Sequence, residues 1–388
     1  MTRTAAAWDE LDRDLRRRTE EARFSGVVRI TRGEEELFSG AYGDASHAWR
    51  IPNTLGTRFD TASLTKLFTA VAALQLVDDG AFALDTPAVA YLGLRDTAIS
   101  EDATVYHLLT HSSGIGDDAE EEDGEDYADL WRERPNYAVT ETADFLPQFA
   151  YKPSNFAPGE GCRYCNCGYV LVGLMIEKAT GIPYRDVVRG RIFGPAGMRD
   201  SGFFHLADGV SDLAEGCDPI RDDGGAVTGW RKNIYSFPPI GSPDSGAHVT
   251  AADLDRFLRA VKDGLLLSPE RTEMFFTPQI HYKDRDGWEM RYGLGMWFYV
   301  EPDGHVVCCQ KEGYNAGVSA VMRYFFDQDI NLVLLSNMAD GAWEPSWVAH
   351  ELIVGMASSR APRRDGSLAE RVRASDGRFD GAGHAEAP

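Results

Sequence analysis

No apolar run in this 388-residue chain reaches the roughly 18 to 20 residues that a membrane-spanning helix needs. The opening segment MTRTAAAWDELDRDLRRRTEEARF also lacks an apolar core of signal-peptide length, so it reads as a surface helix. These two absences lead to the expectation of a cytoplasmic chain with no membrane partner. Basic charge is scarce: 39 Lys and Arg stand against 61 Asp and Glu, a formal net charge of -22. Nucleic acid and anionic lipid would both be repelled, which excludes them as partners. Cysteine is sparse as well, and six in a chain of this length do not make a small-protein disulfide framework. Cys162, Cys165 and Cys167 cluster in GCRYCNCGY, and such thiolates suit zinc. No second ligand pair stands at a comparable spacing, so the expectation is buried reduced thiols, with no metal and no cofactor.

What is present is ordinary for a soluble globular protein: 43% hydrophobic and 26% charged residues. Length implies two or three domains. FSGVVRITRGEEELFSGAYG reads as a hairpin turning at Arg32-Gly33, and SLTKLFTAVAALQLVDDG as a helix ending at Gly80. Helical segments follow in TADFLPQFA, GYVLVGLMIEKATG, PYRDVVRGRIF and TAADLDRFLRAVKDG. The last opens with Thr250 and Asp253 three apart, a variant of the capping box. The acidic stretch GDDAEEEDGEDYADLW reads as a solvated loop. Strand-like runs return in RYGLGMWFYV, HVVCCQKEG, GVSAVMRYFF and INLVLLSN, followed by a helix in PSWVAHELIVGMA. Strands at both ends and helices between predict one sheet built from both termini, residues 5–83 and 285–357. A mainly helical domain with long loops is then inserted at 84–284. The polar tail 358–388 is expected to be poorly ordered.

Chemistry enters at FDTASLTKLFTA. A serine hydroxyl is a weak nucleophile and needs a base. With Ser63 at a helix start, Lys66 lies one turn on along the same face. Apolar neighbours and the positive helix end disfavour the ammonium, so a neutral lysine is available to accept the proton. Taken alone, the serine is as well explained as a helix cap. Two further elements follow in order: Tyr164-x-Asn166 in RYCNCGYVLVG, directly before a helix, and Lys311-x-Gly313 in QKEGYNAG, on a strand.

The ordered set Ser-x-x-Lys, Tyr-x-Asn and Lys-x-Gly resembles the serine β-lactamase and penicillin-binding protein superfamily. The tyrosine points to its class C β-lactamase-like branch of esterases, D-amino-acid peptidases and acyltransferases. The resemblance extends through LLTHSSGI, PGEGCRYCNCGYVLVGLMIEKATG and IFGPAGMRDSGF, and covers roughly residues 24 to 357. It implies an α/β, β-lactamase/transpeptidase-like fold, an antiparallel sheet flanked by helices with a largely helical insertion. By this resemblance Ser63 is the acylated nucleophile, and Lys66 and Tyr164 share the base duty. Asn166 would orient Lys66 and meet a substrate amide. Lys311 would lower the tyrosine pKa and attract a substrate carboxylate. Gly313 would let substrate approach the strand, and the Ser63 and Tyr314 N–H groups would form the oxyanion hole.

Some features depart from the pattern. Glu312 stands at a normally small position: outward it is harmless, inward it competes for Lys311. Tyr314 is bulky beside the proposed hole. His111 reads as a turn brace, His248 as an active-site wall or a surface residue. Trp230, Tyr235 and Phe237 read equally as cleft lining or exposed loop. The expected activity is an intracellular esterase or amidase acting on a small-molecule ester, amide or lactam through an acyl-enzyme. A biosynthetic acyltransferase, a β-lactamase or D-amino-acid peptidase, and a non-catalytic sensor on the same scaffold are the alternatives.

Overall fold

The computed structural model describes residues 3–285 and 287–356. Its main sheet has eight strands: β1 (Gly26–Arg32), β2 (Glu35–Tyr42), β3 (Ile280–Arg285), β4 (Trp288–Tyr292), β5 (Trp297–Val300), β6 (Val306–Asn315), β7 (Val318–Phe325) and β8 (Ile330–Ser336). They pair antiparallel in the order β2-β1-β8-β7-β6-β5-β4-β3. The two ends of the chain therefore meet in the middle of one sheet, where Val28 lies opposite Leu334. The longer helices are α1 (Arg3–Glu20), α2 (Thr65–Asp78), α3 (Asn166–Thr180), α4 (Ala251–Lys262) and α5 (Trp343–Val354).

Both faces of the sheet are covered, and strand alternation shows it. Val333 and Leu335 of β8 join the larger core with Leu67, Val170 and Phe257 from α2, α3 and α4. Leu332 and Leu334 join a second core with Leu11, Leu15 and Trp347 from α1 and α5. Side chains two apart share a face, so a run buried on both sides is apolar throughout. The expected antiparallel sheet flanked by helices is thus observed. Helix α4 and strand β3 serve the sheet, although the helix and all but the last residue of the strand lie within 84–284.

Local differences have physical reasons. RYGLGMWFYV is two strands, because the chain reverses through Gly293–Met296, with Gly295 at φ 98°. Thr250 caps α4 by accepting from Asp253 N–H at 3.1 Å. The box is only half formed, since the Asp253 carboxylate accepts instead from Asp200 N–H and Ser201 O–H. The acidic stretch is not a solvated loop throughout: Asp117 and Asp118 are buried, while Glu122 to Asp126 are exposed. Among the described residues no helix is long and apolar enough to cross a membrane. The tail 358–388 lies outside the described residues.

Candidate active site

The Ser63 turn begins at Asp60, whose Oδ1 accepts from Ala62 N–H at 2.7 Å. Ala62 sits at φ 42°, a left-handed conformation that costs an L-residue about 1 kcal/mol. The cost is held by a fixed frame: Thr61 O–H donates to the Ala247 carbonyl (2.7 Å) and Thr65 O–H to that of Ala62 (2.8 Å). Ser63 lies inside a 3₁₀ turn, Ala62–Leu64, that leads into α2. Its hydroxyl caps no helix, so it is left for other partners.

Those partners are Lys66 and Tyr164. Lys66 Nζ lies 3.1 Å from Ser63 Oγ, 2.7 Å from Asn166 Oδ1 and 2.8 Å from the Asp244 carbonyl oxygen. A neutral amine has two N–H donors and one lone pair. Asn166 and Asp244 take the two donors, which aims the lone pair at the Ser63 hydroxyl. Helix α2 is buried nearly all round, and Lys66 with it. That burial pulls its pKa below the ordinary lysine value, against the pull of Asp244 and Asp117. Tyr164 O–H donates to Ser63 Oγ at 2.7 Å.

One sequence expectation is reversed here. Lys311 was to lower the Tyr164 pKa, but burial, followed by the Glu121 charge, pushes it well above the usual phenol value. Tyr164 is thus held toward the protonated phenol, while burial shifts Lys66 toward the neutral amine that can accept a proton. Lys311 lies 4.7 Å from the Tyr164 ring centroid and 5.6 Å from that of Trp297. Burial drives its own pKa well down, with Lys66 adding to the effect.

Gly313 has a further reason beside the substrate approach expected from the sequence. A Cβ there would lie 2.0 Å from the Thr61 carbonyl oxygen and 3.1 Å from Ser63 N. The protein's own Ser63 turn needs the close approach, and this packs strand β6 against Ser63. Glu312 accepts from Gln310 Nε2 at 2.7 Å, and Arg323 in turn donates to Gln310. Glu312 lines the hollow near Lys311 but makes no ion pair with it. The Tyr314 ring stacks on Trp343, centroids 6.2 Å apart.

Sequence reasoning missed two supporting residues. Asp117 Oδ2 accepts from Asn166 N–H (2.9 Å), and Oδ1 from Cys167 N–H (2.9 Å) and Asp118 N–H (3.1 Å). It thus caps α3 from a distant loop and sets Asn166. The Asp244 carbonyl was hidden in GSPDSG, whose Pro243 seats on Gly173 of α3, where a Cβ would come within 2.1 Å. His111 does brace its turn. Its Nδ1 accepts from Cys165 N–H, its carbonyl from Arg163 N–H, and its ring lies 4.6 Å from that of Tyr164.

Two hollows meet at Ser63. One, ≈ 50 Å³, is aromatic, with Tyr164, Tyr292, Trp297 and Trp343 beside Lys311. The other, ≈ 90 Å³, is acidic, with Glu121, Glu125, Asp126 and Asp244 beside Asn166 and Asn315. A larger cavity of ≈ 310 Å³ lies behind the turn and does not include Ser63. His248 and Phe237 line that cavity and neither of the two at Ser63. Trp230 stacks on His47 at 3.5 Å, and Tyr235 is exposed. The three clustered cysteines do not converge. Cys162 reaches the Thr110 carbonyl and Cys165 reaches Asp117, while Cys167 Sγ accepts from Asp118 N–H. The group that does converge is Asp117, Asp118 and Cys167. Asp117's oxygens there are occupied by the three amide donors.

A sheet assembled from both ends of the chain, with a lysine and a tyrosine both brought within hydrogen-bond distance of one serine, defines the class. The family model described as Beta-lactamase matches residues 11–349, and the chain belongs to that family. Its fold is the β-lactamase/transpeptidase fold. A penicillin-binding protein structure from Bacillus halodurans superposes with a TM-score of 0.79 at 34% identity, covering 86% of this chain and 98% of that one. Esterase EstB of Burkholderia gladioli is 31% identical over 271 residues, 64% of this chain and 69% of its own. A D-aminopeptidase of Brucella anthropi is 25% identical over 350 residues, 87% of this chain and 61% of that protein.

Proposed function

We propose that the protein is a serine hydrolase that cleaves small esters or amides through an acyl-enzyme on Ser63. The observation that carries this reading is the Ser63 hydroxyl held 3.1 Å from Lys66 Nζ and 2.7 Å from the Tyr164 hydroxyl. Lys66 takes the Ser63 proton as Oγ attacks the acyl carbon, and Tyr164 delivers its own proton to the leaving group and is reprotonated from Lys66. Asn166 and the Asp244 carbonyl hold the amine in line. The N–H groups of Ser63 and Tyr314 are the proposed oxyanion donors, acting where charge develops. Water then releases the acid by the reverse proton path. The esterase and D-aminopeptidase relatives support both leaving-group types.

The Ser63→Ala protein is expected to lose turnover of a p-nitrophenyl ester and labelling by a fluorophosphonate probe. Unchanged turnover would reject the assignment. Tyr164→Phe should slow the acylation burst by about 100-fold or more while leaving the fold intact, in the range for a lost general acid. A burst of normal rate removes Tyr164 from proton transfer.

A further inference from the structure

We propose that the ≈ 310 Å³ cavity behind the Ser63 turn is a second binding site, for a small uncharged phenol or aryl alcohol. The site is separate from the catalytic one, because none of the residues that line it lines either hollow at Ser63.

Volume sets the size of the occupant. An apolar cavity of about 150 Å³ holds one benzene, so about twice that room suits one ring with a short polar arm. Phe59, Phe204 and Phe237 supply aromatic walls, and the Phe204 ring meets that of His248 edge-on, centroids 5.9 Å apart. Leu206 and Ile234 also line the cavity and are exposed, so its outer rim meets solvent.

Two polar side chains on the wall are more than nine-tenths buried and incompletely partnered. Asn337 is 3% exposed, and its amide N–H groups donate to the carbonyls of Asp44 (3.0 Å) and Glu215 (2.9 Å). Those two bonds fix the amide's orientation and leave Oδ1 without a donor. His248 is 7% exposed, and its Nδ1 makes no hydrogen bond. Burial pulls the His248 pKa down, against Asp60 and the Gly246 backbone, so the ring is held toward the neutral imidazole. A buried polar atom without a partner is costly. A hydroxyl both donates and accepts, so it serves either atom.

Charge narrows the class. No Arg lines the cavity, and its one lysine, Lys232, is paired with Glu215. Asp60 and Asp208 add carboxyl groups, so an anionic ligand would be buried without a counter-charge. Position gives the site its interest. Asp60 Oδ1 holds the Ala62 N–H at 2.7 Å, and Asp60 lies opposite His248 in a short antiparallel ladder. A molecule seated there touches the frame of Ser63 from behind.

The test titrates tyrosol, a phenol with a hydroxyethyl arm, calorimetrically into the wild-type protein. A Kd below about 1 mM is expected for a ligand of this size. The anion p-hydroxyphenylacetate, similar in shape, is expected to bind about ten-fold more weakly or worse. Lacking one hydroxyl, p-ethylphenol should bind about five-fold more weakly. Leu206→Trp fills the cavity from its rim and should weaken tyrosol about ten-fold or more at unchanged Tm; Val210→Trp is the second filling variant should that Tm move. No measurable binding, equal binding of the carboxylate or of p-ethylphenol, or an affinity unmoved by both variants overturns the inference. Binding is read without turnover, so it is unaffected by a failure of the hydrolase reading.

Discussion

At the scale of single residues, the site depends on clearances smaller than a methyl group. Gly313 is the clearest case, since its missing side chain is where the Thr61 carbonyl sits. Gly313→Ala must push the strand or the turn aside, and Ser63 moves with the turn. A displacement near 1 Å is enough to cost about 100-fold in rate. The expected result is therefore a kcat/KM loss of about that size, with most of it in kcat. A variant with wild-type kcat would show that the strand and turn are not rigidly coupled. Lys66 illustrates a different kind of legibility. Its place one turn after Ser63 can be read from spacing, and so can its desolvation by apolar neighbours. The identity of its two fixed acceptors cannot, because the Asp244 carbonyl belongs to a loop 178 residues away. Tyr164 was legible as a candidate, but the direction of its pKa shift was not, because burial outweighs a nearby lysine that is itself pushed toward neutrality.

At the scale of elements, helix α3 is set by a carboxylate from outside itself. Its own leading residue, Cys165, makes no side-chain cap. Asp117 supplies the missing acceptor for Asn166 and Cys167. Asp117→Ala should destabilise the protein by about 1–3 kcal/mol, the cost of leaving buried donors unsatisfied. Denaturant unfolding would show this as a lower midpoint with an unchanged slope, and activity should fall because Asn166 loses its anchor. An unmoved midpoint would mean another group takes over the cap. This element also shows why the acidic stretch was misread. Composition reports the average of sixteen residues, while Asp117 and Asp118 turn inward and Glu122 to Asp126 outward. The hairpin at β1–β2 was legible because Gly33 between alternating runs has few other uses. The reversal at Gly293–Met296 was not, because the flanking aromatics read as one strand.

For the whole molecule, the excess of acid makes its stability sensitive to pH through particular groups. Burial, and next the charge of Asp117, lifts Glu121 from 4.5 to about 8; Asp126 and Asp244 raise it further and Lys66 opposes them. Between those two values the folded protein keeps a proton that the unfolded chain has already lost. Stability from this group is therefore present at acid pH and declines as pH rises through that window. Glu121→Gln removes the dependence. The Tm of wild type minus that of the variant should fall steadily from about pH 5 to about pH 8. A difference that stays flat would place Glu121 in the ordinary carboxylate range.

The Ser63 turn is stitched to a second segment, residues 241–247. Thr61 N–H and O–H both donate to the Ala247 carbonyl, Thr65 Oγ1 accepts from Ala247 N–H, and Lys66 and Thr69 donate to the carbonyls of Asp244 and Pro243. For protein engineering, the transplantable unit is this pair of strips. A chimera that exchanges the serine-bearing strip with a relative, and leaves the other behind, inherits a reactive hydroxyl whose amine has lost its rest. Exchanging both together should carry the chemistry across intact.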